Sequence, residues 1–306
     1  MSRAAAPRLH CLFARDTRDA VVIRRGPSKQ TAVFHWDRAT DTFALGQWLM
    51  GRIYERRSDI SRDGRHWIYF AMNGQWTDES RGSWTAVART GWLKALSFYP
   101  KGDGWEGGGL FLEHGGYWLN DRYFDPKTPA TREAKAPAPR RDPKGAPAFH
   151  INSECLTPYY NRLIRDGWTT DWRKETLPPP TAPEPAKRRQ PWWFRDWVSG
   201  LFPETRLRFE RRIPGVGTLV KWAHVGPSRD GHGVYWDAHR IEVAGGEALD
   251  LPDAGWAEVD GNRVVWASRG RLWSVSAPWT DGRGRLLPVE LHDFSPYTFE
   301  ARTAPY

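Results

Sequence analysis

Short apolar runs alternate with polar turn segments along most of the chain, and the runs are too brief for helices. Residues 20–23 and 32–36 are apolar, and after the polar stretch 37–41 the chain resumes at 42–45, which predicts strand, turn, strand. A phrase then recurs with one grammar: a small or polar residue, Asp-Gly, and an aromatic-rich run. It reads Ser61-Arg62-Asp63-Gly64 into Trp67-Ile68-Tyr69-Phe70, Ser228-Arg229-Asp230-Gly231 into Val234-Tyr235-Trp236, and Asp260-Gly261 into Val264-Val265-Trp266. A looser copy follows Asp103-Gly104 and ends in Leu110-Phe111-Leu112. Gly reaches positive φ without penalty and Asp bonds the local backbone, so each copy predicts a tight turn entering a strand.

Two stretches break the rhythm. Residues 126–147 hold six prolines with mixed charge, and 174–191 include Pro178-Pro179-Pro180. Proline removes a donor and restricts its predecessor, so neither predicts a central strand. Residues 192–202 place apolar side chains at 193, 194, 197, 198, 201 and 202, the spacing of a short amphipathic helix. Hairpins return from 205, and the end, 286–306, predicts one more strand pair. The organisation expected is propeller-like blades over 1–125, a basic proline-rich excursion at 126–147, a blade or partial blade at 148–173, and a second excursion at 174–191. A helix over 192–204 and closing blades over 205–306 complete it.

Composition supports an all-β reading, because 19 Trp stand among 42 aromatic residues and aromatic side chains favour strands. The formal charge of +9 is concentrated: 127–145 carries +4 and 174–191 carries +2. Cys11 and Cys155 form neither a disulfide framework nor a metal-ligand pair, and no signal peptide or membrane-length apolar run is present. A soluble, cytoplasmic protein is expected.

The interval from Asp63 to Asp103 is 40 residues, near the ~40–45 of a propeller blade, whereas Asp230 to Asp260 spans only 30. On these windows the chain resembles the WD40-like, TolB-type β-propellers, and Trp256-Ala257-Glu258 through Arg271-Leu272-Trp273 is similar to uncharacterised bacterial propeller-like proteins. The resemblance implies one degenerate β-propeller of about five to seven blades, with proline-rich insertions and one short helix, and implies no activity.

Candidate chemistry is sparse. The histidines are scattered, and the one local group, His224, His232 and His239 beside Asp230 and Asp237, reads as a polar hairpin and not as a metal site. No cofactor motif is present. Gly102 to Gly109 lacks the Lys-Ser/Thr ending of a phosphate loop and reads as a flexible turn. With no nucleophile motif, the chain reads as a non-enzyme, a scaffold for a protein partner engaged by rim loops or one end of a channel. Two alternatives are carried. A carbohydrate-binding or glycoside-active propeller would use the channel carboxylates Asp59, Glu113, Asp237 and Glu258 with exposed Trp. Nucleic-acid association would use Arg140, Arg141, Lys187, Arg188 and Arg189 in the basic excursions.

Overall fold

The computed structural model describes residues 6–27, 29–121, 132, 135, 137–151, 153–177, 204–226, 233–243, 248–251, 253–277, 279–281 and 286–306. The chain divides into two compact units. One comprises Met1–Asp166, Arg269–Arg271 and Asp293–Tyr306, the other Gly167–Ser268 and Leu272–His292.

In the first unit, β1 (Arg8–Phe13), β2 (Asp19–Arg25), β3 (Gln30–Asp37) and β4 (Thr42–Met50) form an antiparallel meander. The second sheet orders β5 (Arg52–Ile53), β7 (His66–Met72), β8 (Ser83–Arg89) and β9 (Ala95–Pro100), with β6 (Asp59–Ile60) also paired to β7. A hairpin of β10 (Gly109–Phe111) and β11 (Tyr117–Leu119) follows. The run Trp67-Ile68-Tyr69-Phe70-Ala71 is buried throughout because its sheet is covered on both faces. Trp67 and Tyr69 join Leu12, Val21, Ile23 and Val33 of the first sheet, whereas Ile68 packs with Val87, Tyr99, Phe111 and Tyr117.

The second unit contains β12 (Lys174–Thr176), β13 (Thr205–Ile213), β14 (Gly217–Val225), β15 (Tyr235–Val243) and β16 (Ala248–Asp250) as one antiparallel sheet. A second sheet orders β17 (Trp256–Asp260), β18 (Arg263–Ser268), β19 (Arg271–Val275) and β20 (Val289–Asp293). Alternation is clear in β13 and β15, and Leu207, Phe209, Leu219, Ala223 and Ile241 share one buried face by register; on the central β14, Val220 and His224 are buried on the other face as well.

Asp-Gly turns the chain at two of its copies, while Asp230-Gly231 lies outside the described residues. Gly64 takes φ 73°, while the Asp63 Oδ1 accepts the Ser61 hydroxyl at 2.6 Å and the Arg65 amide at 3.1 Å. Gly261, at φ 65°, opens the two-residue loop between β17 and β18. The expected single propeller of about five to seven blades is nevertheless not formed. The described strands make five separate open sheets, none closed on itself, and they are shared between two units. Asp-Gly reports a local turn and carries no information on ring closure. The channel-based scaffold and carbohydrate readings therefore lose the architecture they required.

The described helix is α1 (Leu156–Arg165), inside the stretch expected to supply a blade or partial blade; the helix expected over 192–204 lies outside the described residues. At the end of the chain β20 forms, but residues 298–300 are not a strand. α1 is held by guanidinium groups. Arg165 grips Asp59 through two bonds, 2.6 and 2.8 Å, and the Asp59 Oδ2 also accepts the Phe111 amide at 2.7 Å. Arg162 donates to the carbonyls of Glu55 and Ser58 and lies 3.0 Å from the His10 Nε2. Burial lowers the Arg162 pKa, whereas Arg165, also desolvated, is raised well above its ordinary value by Asp59 and Asp166.

Removing one member of a buried pair strands the other charge, at a cost of about 3–5 kcal/mol. Asp59→Ala is expected to lose stability of that order in urea unfolding, and the double change Asp59→Ala with Arg165→Met to recover most of it. A loss below about 1 kcal/mol for Asp59→Ala would show that the pair does not pin the helix.

Candidate functional site

The loops at one end of the second sheet present the most exposed tryptophans among the described residues. Trp76 is 53 % exposed and Trp105 72 %. Tryptophan is normally far more buried, so two such side chains on adjoining loops require an account.

Trp76 lies in the connection from β7 to β8. The Asn73 and Gly74 amides both donate to the Gly82 carbonyl at 3.1 Å, and the Gln75 amide donates to the Asn73 Oδ1 at 3.0 Å. The Arg81 amide donates to the Asp78 carbonyl at 2.8 Å. Gly82 has φ 75°, and a Cβ there would strike the Trp76 ring, so this glycine seats the indole.

Trp105 lies in the glycine-rich connection from β9 to β10. The sequence reading made it a flexible turn; the structure shows it braced from beneath. The buried Arg57 donates to the carbonyls of Gly104, at 2.8 Å, and Glu106. The Gly108 amide donates to the Thr85 hydroxyl at 2.8 Å, and the Asn120 Nδ2 donates to the Gly107 carbonyl at 3.0 Å. A Cβ on Gly107 would meet the Phe70 ring and one on Gly108 the Arg57 carbonyl, so both glycines let the loop lie flat on the sheet. Arg57 sits 4.8 Å from the Tyr54 ring centre and 5.0 Å from that of Phe70, and its Nε donates to the Cys155 sulfur at 3.0 Å.

The loops adjoin. The Lys101 and Gly102 amides donate to the Ser83 carbonyl, 2.9 Å, and hydroxyl, 3.0 Å, at the start of β8. Met50 is also exposed, and a Cβ on Gly51 next to it would meet the Met72 carbonyl at the end of β7. Such a surface suits contact with another molecule: exposed aromatic faces on fixed backbone.

The candidates drawn from sequence are placed elsewhere. Asp59 is consumed by Arg165, and the exposed Glu113 pairs with Arg15 at 2.7 Å and Arg62 at 3.4 Å. Glu258 accepts the Trp168 indole N–H at 2.9 Å and lies 3.2 Å from the Arg211 Nε, and Asp237 is buried on β15. Arg140 and Arg141 run beside β11, where the Arg140 carbonyl accepts the Tyr117 amide at 3.0 Å. Lys187, Arg188 and Arg189 lie outside the described residues. The expectation of nucleic-acid association through the excursions is thus corrected along with the propeller.

Of the histidine group, His232 is not described, and the other two point to opposite faces of their sheet. His239 opposes Lys221, whereas His224 opposes Trp236 and stacks on it at 3.6 Å. Among the described residues no group of three or more His, Cys, Asp or Glu could hold a metal. Both thiols are buried, and burial raises both above the ordinary thiol range. Sequence reasoning missed Trp76, Trp105 and Arg81. The available signal was tryptophan inside turn chemistry, Asn-Gly-Gln-Trp and Gly-Asp-Gly-Trp, where no strand alternation calls for a core residue.

No protein family, no curated protein and no solved structure matches this chain. The resemblance to WD40-like, TolB-type propellers therefore finds no support in relatives, and the open sheets contradict it.

Two outcomes follow from these contacts. Arg57→Met should speed hydrogen exchange at the Gly104–Gly108 amides by at least tenfold while the β7 and β8 amides keep their protection; unchanged loop exchange would mean the guanidinium does not brace it. In the second unit, burial lowers the pKa of His224, against the pull of Glu204 at 3.2 Å. The unfolded imidazole, with an ordinary value of about 6.5, takes up its proton first, so this contribution is present above about pH 6.5 and is lost as pH falls below it. The stability gap between the wild type and His224→Gln should shrink from pH 7.5 to 5.5, and a constant gap in urea unfolding would refute this.

Proposed function

We propose that this is a cytoplasmic, non-catalytic binding protein that docks a protein partner on the Trp76 and Trp105 loops of its first unit. The observation that carries the reading is the combination of exposure and bracing. Two large indoles stay open to solvent on loops with fixed backbone: the Trp105 loop is held by Arg57, Ser83, Thr85 and Asn120, and the Trp76 loop by its own bonds to Asn73, Asp78 and Gly82.

Tryptophan supplies a large contact area with few torsions to freeze, and a loop ordered in advance leaves little entropy to lose on binding. Tryptophan is also among the residues most often dominant in protein interfaces. The non-catalytic part of the reading is supported by the saturation of Asp59 and Glu258 in structural bonds. The compartment is supported by two buried cysteines carried as free thiols. Among the described residues no helix is long and apolar enough to cross a membrane.

The test is affinity purification from source cells, followed by titration of the captured protein against purified wild type and variants. Trp76→Ala and Trp105→Ala should each weaken binding by about 2 kcal/mol, roughly 30-fold, and leave thermal stability unchanged within about 0.5 kcal/mol because both indoles are exposed. A partner that binds the double variant as tightly as the wild type would end the proposal.

A further inference from the structure

The partner's chemistry can be read from what lies where the two loops adjoin. Arg81 closes the Trp76 loop, and Gly102 of the Trp105 loop lies against its stem: a Cβ on Gly102 would stand 3.6 Å from the Arg81 Cβ. Arg81 is exposed, and its guanidinium has no hydrogen-bond or ion-pair partner among the described residues. Most arginines of this unit are engaged. Arg57, Arg162 and Arg24 bond carbonyls, and Arg15, Arg25, Arg62, Arg132 and Arg165 meet carboxylates.

Arg81 also occupies an unusual backbone position, φ 51°, and Glu106 beside Trp105 has φ 55°. Left-handed backbone is disfavoured for residues with a Cβ and is found preferentially where surroundings fix a functional loop. An Asn or Gly would close either turn with less strain. The Arg81 side chain is thus held at the junction of the loops although local geometry would prefer another residue.

The surrounding charges narrow the ligand further. Asp78, Glu79, Asp103 and Glu106 lie on the same two loops; Glu79 is tied to Arg132, and Asp103 lies 3.7 Å from the Lys101 Nζ. A polyanion would meet these carboxylates with repulsion. One carboxylate flanked by apolar groups would pair with the Arg81 guanidinium and meet less of that repulsion, with its apolar neighbours against the indoles.

Resting on the docking reading above, we infer that the Trp76, Arg81 and Trp105 surface recognises a protein segment that presents an Asp or Glu within two or three residues of a large apolar side chain. Arg81 selects the carboxylate and the tryptophans take the apolar anchor. The guanidinium fork accepts a carboxylate through two parallel bonds, so Arg81 sets specificity as well as affinity.

The experiment uses the full chain. A random dodecapeptide library on phage is selected on the wild-type protein, and synthetic peptides from the enriched set are titrated by fluorescence polarisation. Enriched peptides are expected to carry an acidic residue beside Leu, Met, Phe or Trp. Their affinity should fall by about tenfold or more in Arg81→Glu and partly recover when the peptide's acid is changed to Lys. The neutral Arg81→Asn tolerates the left-handed backbone and should give an intermediate loss, which guards against misfolding of the charge-reversed loop. Peptides that depend on Trp76 and Trp105 but lack an acid, or ignore Arg81→Glu, would overturn the inference and leave the docking reading standing. Peptides indifferent to both tryptophans would overturn both. Displacement of the peptides by single-stranded oligothymidylate would overturn it in favour of a polyanion. Self-association that Trp105→Ala abolishes in sedimentation velocity would assign the surface to a second copy of the chain.

Discussion

The first unit depends on buried guanidinium groups bonded to backbone carbonyls. Irregular segments leave carbonyls without ladder partners, and a buried unpaired carbonyl costs about as much as a lost hydrogen bond. Arginine answers this with up to five donors in a rigid fork and a charge it keeps under almost any burial. Arg24 donates to the Phe294 carbonyl at 2.8 Å and the Tyr297 carbonyl at 2.9 Å, fastening the last residues of the chain to the first sheet. Arg38 donates to the carbonyls of Ala14, Thr17 and Arg18, and so sets the connection from β1 to β2. Arg57 fixes the glycine-rich loop, and Arg162 the turn of Glu55–Arg57 and α1. Aromatic faces complete these sites: Phe13 lies 4.2 Å from the Arg38 guanidinium carbon, and Trp48 lies 5.2 Å from that of Arg24.

These clamps explain why the exposed loops can be shaped. The second sheet is covered on both faces, so β7 and β8 form a stiff base from which loop position is transmitted to the tip. On that base the loop from β9 to β10 could not be closed by side-chain packing, because Gly107, Gly108 and Gly109 leave nothing to pack. Backbone approach to Phe70, Arg57 and Trp118 takes its place, and glycine is required where that approach is closest.

How far this could be read from sequence depends on whether a feature is local. The turns were legible, since Ser61 to His66 contains its own bonds: the Ser61 hydroxyl accepts the His66 amide at 2.9 Å and donates to Asp63. The predominance of strands and many of the strand positions were legible for the same reason. The propeller was not a local feature; spacing between Asp-Gly copies counts hairpins, and whether sheets close or remain open rests on pairings between distant residues. α1 announced itself through Leu156, Tyr159, Tyr160 and Leu163, one helical face, but the proline at Pro158 and the neighbouring proline-rich stretch obscured it. Proline in the first turn of a helix is in fact tolerated, because the amide it removes would have no partner there.

The exposed tryptophans were less legible, because composition alone does not tell a core tryptophan from a surface one. Trp36, Trp67 and Trp168 are fully buried. The exposed ones are distinguished by backbone context. Trp67 stands in a strand and its indole N–H is spent on the Trp92 carbonyl at 2.8 Å, whereas Trp76 and Trp105 stand among glycine, asparagine and aspartate, in segments held by backbone, short polar side chains and, at Trp105, the Arg57 guanidinium. In such a segment a large apolar side chain contributes little to closing the turn. Its place there is set by the turn's backbone and not by a core, and among the described residues the Arg81 guanidinium of the Trp76 loop has no polar partner.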